Sequence, residues 1–152
     1  MSPDPACPVL LVLDTNIVLD LFVFGDTAAQ PLQAGLARGW LDWLATPAMR
    51  DELERVLGYA PIQSRMASSG LQAADVLGGF DRHARIVEAP AKAAVTCSDP
   101  DDQKFIDLAV RHKCALLSKD AAVLVLKKRL APLEVSVGAA IPPDSSYSLI
   151  GR

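Results

Sequence analysis

The sequence predicts an α/β protein organised around a parallel sheet, and two stretches carry the prediction. Val9 to Leu13 reads VLLVL, an apolar run with no polar alternation, which is the pattern of a strand covered on both faces. Cys114 to Leu117 is a second apolar run, and like the first it gives way to small polar residues and an acid. Ligands of open α/β sheets collect outside the carboxyl ends of the strands. Asp14 and Asp120, which come after the two runs, are therefore the first functional candidates.

Met1 to Pro8, with three prolines and no period, is a lead-in to a domain expected over 9–137. Ile17 to Phe24 is apolar nearly all round and is expected as a buried helix capped by Thr15 or Asn16. After the break Gly25-Asp26-Thr27, Ala28 to Arg38 has helical spacing, with Pro31 in its first turn and Gly39 at its end. Trp40 to Ala45 is the second strand. Thr46-Pro47 then combines a cap residue with proline at the first helical position. In the helix it starts, Met49, Leu53, Val56 and Leu57 form the apolar stripe; Glu52 lies along that stripe and Glu54 opposite it.

Gly58 to Ser69 is expected as a loop or broken helix, Leu71 to Ala84 as a helix weakened by Gly78-Gly79, and Arg85 to Glu88 as a short strand. Ala91 to Ser98 shows no period. Ser98-Asp99-Pro100-Asp101-Asp102 is a helix start whose acids suit the positive end of the helix dipole. Phe105, Ile106 and Ala109 fall one and two turns after Asp102, which puts this carboxylate at the head of the buried face and Asp107 on the other side. Ala121 to Leu130 reads as a helix with a cationic end, Lys127-Lys128-Arg129. Leu133 to Val137 is the last, edge strand, and 138–152, with Pro142-Pro143 and several serines, is expected to be a flexible tail.

Composition narrows the class. A chain of 152 residues, 51% hydrophobic and 22% charged, suits one globular domain. The formal net charge of −3 would disfavour contact with nucleic acid unless the acids are gathered in one place. No terminal segment pairs a basic region with a long apolar stretch, so no membrane span is expected and a cytoplasmic protein is the default. Cys7, Cys97 and Cys114 are widely spaced without a CxxC pair, which fits inert small hydrophobes better than a disulfide framework or a zinc site. His83 and His112 have no partner at ligand spacing.

Asp14, Glu52, Asp102 and Asp120 each stand at a strand end or on a helix face that points inward. Charged groups are seldom buried unless paired or bound to metal. Two carboxylates about 5 Å apart repel by ~3 kcal/mol at an effective dielectric near 20, and a divalent cation removes that cost. Ligands that are all oxygen favour Mg²⁺ or Mn²⁺ over zinc, and such ions suit hydrolysis of a phosphate ester.

The motifs LDTN at Asp14, RDELERVL around Glu52, DPDDQKFIDLAV at Asp102 and LLSKD at Asp120, in this order, resemble the PIN domain. The resemblance is to the bacterial branch labelled as toxin components of toxin and antitoxin pairs, and it runs from about Val9 to Val137. It implies an α/β/α sandwich of three layers on a mainly parallel twisted sheet and a metal-dependent endoribonuclease acting on single-stranded RNA. It also implies an antitoxin protein as partner, with homodimers frequent. The family's metal-binding acids fall on Asp14, Glu52, Asp102 and Asp120, with Asp99 or Asp101 as alternates to Asp102. Asn16 matches the polar residue that supports the first acid, with Thr15 beside it, and Ser118 matches the small hydroxyl residue before the last acid. Asp20 departs from the pattern, an acid where a small or uncharged residue is expected; one helical turn from Asn16, it is a further alternate at the site or simply one side of a salt bridge. Lys104 and Lys119 are candidates to neutralise phosphate, and Arg50 and Arg55 to contact the RNA backbone.

Each residue also has a plainer role open to it. Asp14 and Asp120 are common helix caps or turn residues, Glu52 lies where a solvated stripe edge begins, and Asp102 is an ordinary acid of a helix N-terminus. Two other functions compete: a catalytically silent binding module of the same fold, and a phosphatase with an aspartate nucleophile. The second is disfavoured because such enzymes want an acid where Asn16 stands.

Overall fold

The computed structural model describes residues 8–141. Its centre is a sheet of five parallel strands, β1 (Val9–Leu13), β2 (Leu41–Ala45), β3 (Ala84–Ile86), β4 (Ala115–Leu117) and β5 (Val137–Gly138), in the order β3-β2-β1-β4-β5. The register pairs Leu11 with both Trp43 and Ala115, and Leu13 with Leu117. The chain steps outward from β1 to β2 to β3, then returns across the sheet to β4 and continues to β5. Right-handed crossovers require the helices before β3 to cover one face and those after it to cover the other, giving the α/β/α sandwich.

The first face carries α1 (Thr15–Leu19), a π-helical segment Asp20–Phe24, α2 (Gln30–Ala37), α3 (Pro47–Leu57), α4 (Ala60–Ser68) and α5 (Ala73–His83). Trp43 anchors it, fully buried with Phe80 edge-on at 5.0 Å and Phe22 at 6.2 Å between ring centroids. Gly79 lets the Phe22 ring pack close, because a Cβ there would lie 2.9 Å from that ring and force it to shift. On the second face, α6 (Gln103–His112) buries Phe105, Ile106, Leu108 and Ala109, and α7 (Ala121–Leu124) and α8 (Lys127–Leu130) come after it. Lys127, Lys128 and Arg129 make up most of α8 and are exposed.

Several expectations change in detail. The helix after β1 is capped by Asp14 rather than by Thr15 or Asn16, since the Asp14 carboxylate accepts the Ile17 N–H. Thr46 stands at the cap of α3 but makes no side-chain cap bond, and its hydroxyl is buried without a partner. Of the two forms expected over 58–69, loop or broken helix, the structure has the second, with α4 starting at Ala60-Pro61 after a break; Met66 alone is buried in it, which leaves almost no apolar stripe. The helix expected over 121–130 is split, with the Leu126 N–H reaching back only to the Val123 carbonyl at 3.0 Å. That tightening turns Leu126 into the core and leaves Val125 outside.

The last strand is short and late. Ala131-Pro132-Leu133 form a 3-10 turn, and Glu134 adopts a left-handed φ of 64°, so extension begins only at Val137. Gly138 lies in that strand and Ile141 is buried, so the segment expected as a tail from 138 begins inside the fold. Residues 1–7 of the lead-in, Cys7 among them, and residues 142–152 lie outside the described residues. Cys97 and Cys114 are buried free thiols, and burial pushes Cys114 up to about 12, which makes it inert. Among the described residues, no helix is long and apolar enough to cross a membrane.

Candidate active site

The strand order reverses between β1 and β4, and the site forms over the carboxyl ends of those two strands, where doubly wound sheets bind ligands. The sheet hydrogen bonding continues into the site, with the Asp14 N–H donating to the Leu117 carbonyl at 3.0 Å and the Ser118 N–H to the Gly138 carbonyl at 2.9 Å. Asp14 is 3% exposed. Its Oδ1 accepts the Ile17 N–H at 2.9 Å and its Oδ2 accepts the Ser118 hydroxyl. Burial raises the Asp14 carboxyl above its ordinary range, opposed by those two hydrogen bonds and reinforced by Asp120 and Asp20.

Asp120 repeats the arrangement at the end of β4. It caps α7 by accepting the Ala122 N–H at 2.9 Å, and its own N–H donates to Ser118 Oγ at 3.0 Å. Ser118, fully buried, thus joins the first and last acids. Asp99 caps the 3-10 turn Pro100–Asp102, accepting the Asp101 N–H at 3.0 Å. Capping and ligation are compatible here, because a cap fixes one oxygen and the rotamer while a second oxygen and further lone pairs remain.

Asp102 carries the strongest perturbation. It is pushed up to about 7, first by burial and then by Asp120, with Asp99 and Asp14 adding to it. Its Oδ2 is buried and reached by no donor. Carboxylate oxygens of Asp99, Asp102 and Asp120 lie within 4.8 Å of one another. Asp102 also lines a cleft of about 160 Å³ with Asp14, Thr15, Asn16, Glu52, Val56 and Phe105. Asp102 belongs to both groups: Asp14 and Glu52 share the cleft with it, and Asp120 lies beside it in the carboxylate cluster. Asp99 joins them, whereas the Asp101 side chain is exposed.

Glu52 comes from the inner side of α3 and is held from two directions. The Thr15 hydroxyl donates to its Oε1, and Lys104 Nζ donates to its Oε2 at 2.8 Å. Lys104 also bonds the Asp101 carbonyl. Of the remaining basic candidates, Lys119 and Arg50 are engaged with other acids, and Arg55 stands beside Glu52. Lys119 is paired with Asp20, Arg50 makes two bonds of 2.7 and 2.8 Å to Asp81 on α5, and exposed Arg55 is 3.9 Å from Glu52. Asn16 is exposed on the rim of the cleft.

Sequence reasoning missed Gln103. Its Oε1 accepts the Cys97 N–H at 2.7 Å, and its Nε2 donates to the Val95 carbonyl at 3.0 Å and to Asp107 at 2.8 Å. Asp107 in turn accepts the Ala93 N–H at 2.9 Å. This clamp supplies the backbone partners of the aperiodic stretch before Asp99. Only the spacing of Gln103 and Asp107, one helical turn apart, hinted at it.

A parallel α/β sheet with carboxylates gathered at its switch point defines a class of acidic-site protein. The chain belongs to the PIN domain family, whose model matches residues 10–122. In structure it is similar to a chain in the crystal structure of VapBC2 from Rickettsia felis bound to a DNA fragment from their promoter. The TM-score is 0.56 at 13% identity, over 85% of this chain and 98% of that one, a likeness of fold. No curated protein matches the sequence.

Proposed function

We propose that the chain is an endoribonuclease that hydrolyses phosphodiester bonds of single-stranded RNA with a divalent cation, Mg²⁺ or Mn²⁺. The carrying observation is Asp102, a half-buried carboxylate whose Oδ2 meets no donor and which faces a second carboxylate. Buried carboxylates ordinarily take hydrogen bonds, so a missing partner beside another acid fits a cation. The donor set also fits a hard ion, being all oxygen.

Asp14 and Asp102 would be the principal ligands, with Asp120 a further one, partly through water, and Asp99 the alternate. When bound, the ion supplies Lewis-acid polarisation of the phosphoryl group and acidifies a water. The chain's own residues do the positioning. Ser118 and the Ile17 N–H lock the Asp14 rotamer, while Thr15 and Lys104 present Glu52 as a fixed acceptor able to orient an attacking water. Lys104, bonded to Glu52, would add positive charge near a phosphate bound in the cleft.

The test is cleavage of single-stranded RNA with Mg²⁺ or Mn²⁺ by the wild type, Asp14→Asn and Asp102→Asn. Each variant should lose about 100-fold or more of the activity while staying folded by circular dichroism. Equal cleavage by all three would sink the assignment, and RNA bound with no cleavage under either ion would make the chain a binding module. The role of toxin, with an antitoxin as partner and a homodimeric state, is part of the proposal. It is supported by the motif resemblance and by the fold shared with a VapBC2 chain, and a small protein encoded next door that blocks the cleavage would establish it.

A further inference from the structure

We propose that Asp20 and Lys119 form a positioning pair that fixes the orientation of Ser118 and Asp120; the inference rests on the site assignment above. Asp20 is the acid that the family resemblance leaves without a role. It opens the π-helical segment Asp20–Phe24 directly after α1, is 7% exposed, and bonds Lys119 through its Oδ2. π-helical turns are rare and are frequently found at functional sites.

Lys119 lies between the two residues of the loop after β4 that reach the acids. Ser118 donates to Asp14, and Asp120 approaches Asp102. The stretch Ser118–Asp120 is therefore tied to the stretch after β1 at two points: Ser118 to Asp14 near the start of α1, and Lys119 to Asp20 just beyond its end. Ser118 is also held by its N–H on the Gly138 carbonyl and Asp120 by its cap on α7, and the Asp20 bond is the tie that reaches the loop between them. This tie holds the middle of the loop and so helps set where Asp120 points relative to Asp102. Asp20 is buried while Lys119 is exposed, so the pair contributes little net stability, and the use proposed here is to favour one arrangement of the loop over its neighbours.

The experiment uses the full chain as wild type, Asp20→Asn, Lys119→Met, Lys119→Arg and the Asp20→Asn/Lys119→Met double variant. The first readout is amide hydrogen exchange without metal at Asp120, whose N–H bonds Ser118, and at Ala122, whose N–H bonds Asp120. Both amides should exchange about tenfold faster in each single loss variant, no faster in the double, and near the wild-type rate in Lys119→Arg. The second readout is Mn²⁺ affinity by calorimetry, expected to fall roughly three- to tenfold in the loss variants and to be kept in Lys119→Arg.

Wild-type exchange in both single loss variants, or losses that add in the double, would overturn the pairing. So would a Lys119→Met protein whose only defect is a raised KM for RNA, since Lys119 would then be a substrate contact. Absence of Mn²⁺ binding by the wild type, with the exchange results as expected, would refute the metal assignment and leave the pair standing.

Discussion

Asp102 sits in the folded chain with a carboxyl pushed up to about 7 from an ordinary 3.8, by burial and by Asp120 beside it. The folded state therefore holds a proton there that the unfolded chain releases, and stability falls as pH rises between those two values. Without metal, the wild type should lose on the order of 1–2 kcal/mol between pH 5 and pH 8 from this group, a figure already reduced because Asp102 is only half-buried. Asp14, raised by its own burial, acts in the same direction. Asp102→Asn carries no such charge, so urea unfolding in EDTA should show a shallower pH dependence for the variant and a more stable variant at pH 8. Parallel pH profiles would refute the assignment of the liability to Asp102. Residue positions of this kind were legible in the sequence because an acid at a strand end or on an apolar stripe has a constrained address. Pairings between distant charges, such as Lys119 with Asp20 or Arg50 with Asp81, were not, since they depend on tertiary geometry rather than on period.

At the level of elements, the site consists of a repeated junction in which a buried strand ends, an aspartate caps the next helix, and the cap holds the carboxylate still. β1 with Asp14 and β4 with Asp120 are the two clear cases. These junctions were readable because VLLVLD and CALLSKD announce both the strand and its end. α4 was left open between loop and broken helix, and the break in the helix after Asp120 and the late β5 were not readable, because a thin apolar face, a tightened turn and a left-handed Glu134 leave little periodic trace. The approach to Asp99 is irregular as well, yet Gln103 and Asp107 on α6 hold it at Ala93, Val95 and Cys97. Gln103→Ala should therefore cost about 1–3 kcal/mol in chemical denaturation, the usual penalty for leaving buried backbone groups unpaired. It should also weaken Mn²⁺ binding, because Asp99 and Asp102 lie just beyond the released stretch. A loss of stability at unchanged metal affinity would confine the clamp to a structural role.

Over the whole molecule, the order β3-β2-β1-β4-β5 gathers acids that are far apart in sequence, with Asp14 at the end of β1, Glu52 from a helix on one face, and Asp102 and Asp120 from the segments flanking β4. The α/β class with a parallel sheet was legible from the apolar runs alone, whereas the strand order was not, since a run of apolar residues does not say which neighbour it will pair with. The convergence has a thermodynamic consequence. Acids held close in the folded chain repel, and an ion that binds only the folded arrangement stabilises it by RT ln(1 + [L]/Kd), about 2.7 kcal/mol when the ion is at 100 times its Kd. For a domain of this size that corresponds to a rise in Tm of roughly 5–10 °C. Mn²⁺ should produce such a rise in the wild type and little in Asp102→Asn, measured by differential scanning calorimetry at pH 7.5 in moderate salt to screen nonspecific binding. Because Asp102→Asn starts out more stable without metal, the two melting curves should converge as Mn²⁺ is added. Equal shifts in both proteins would place the ion elsewhere on the acidic surface and separate the fold from the chemistry proposed for it.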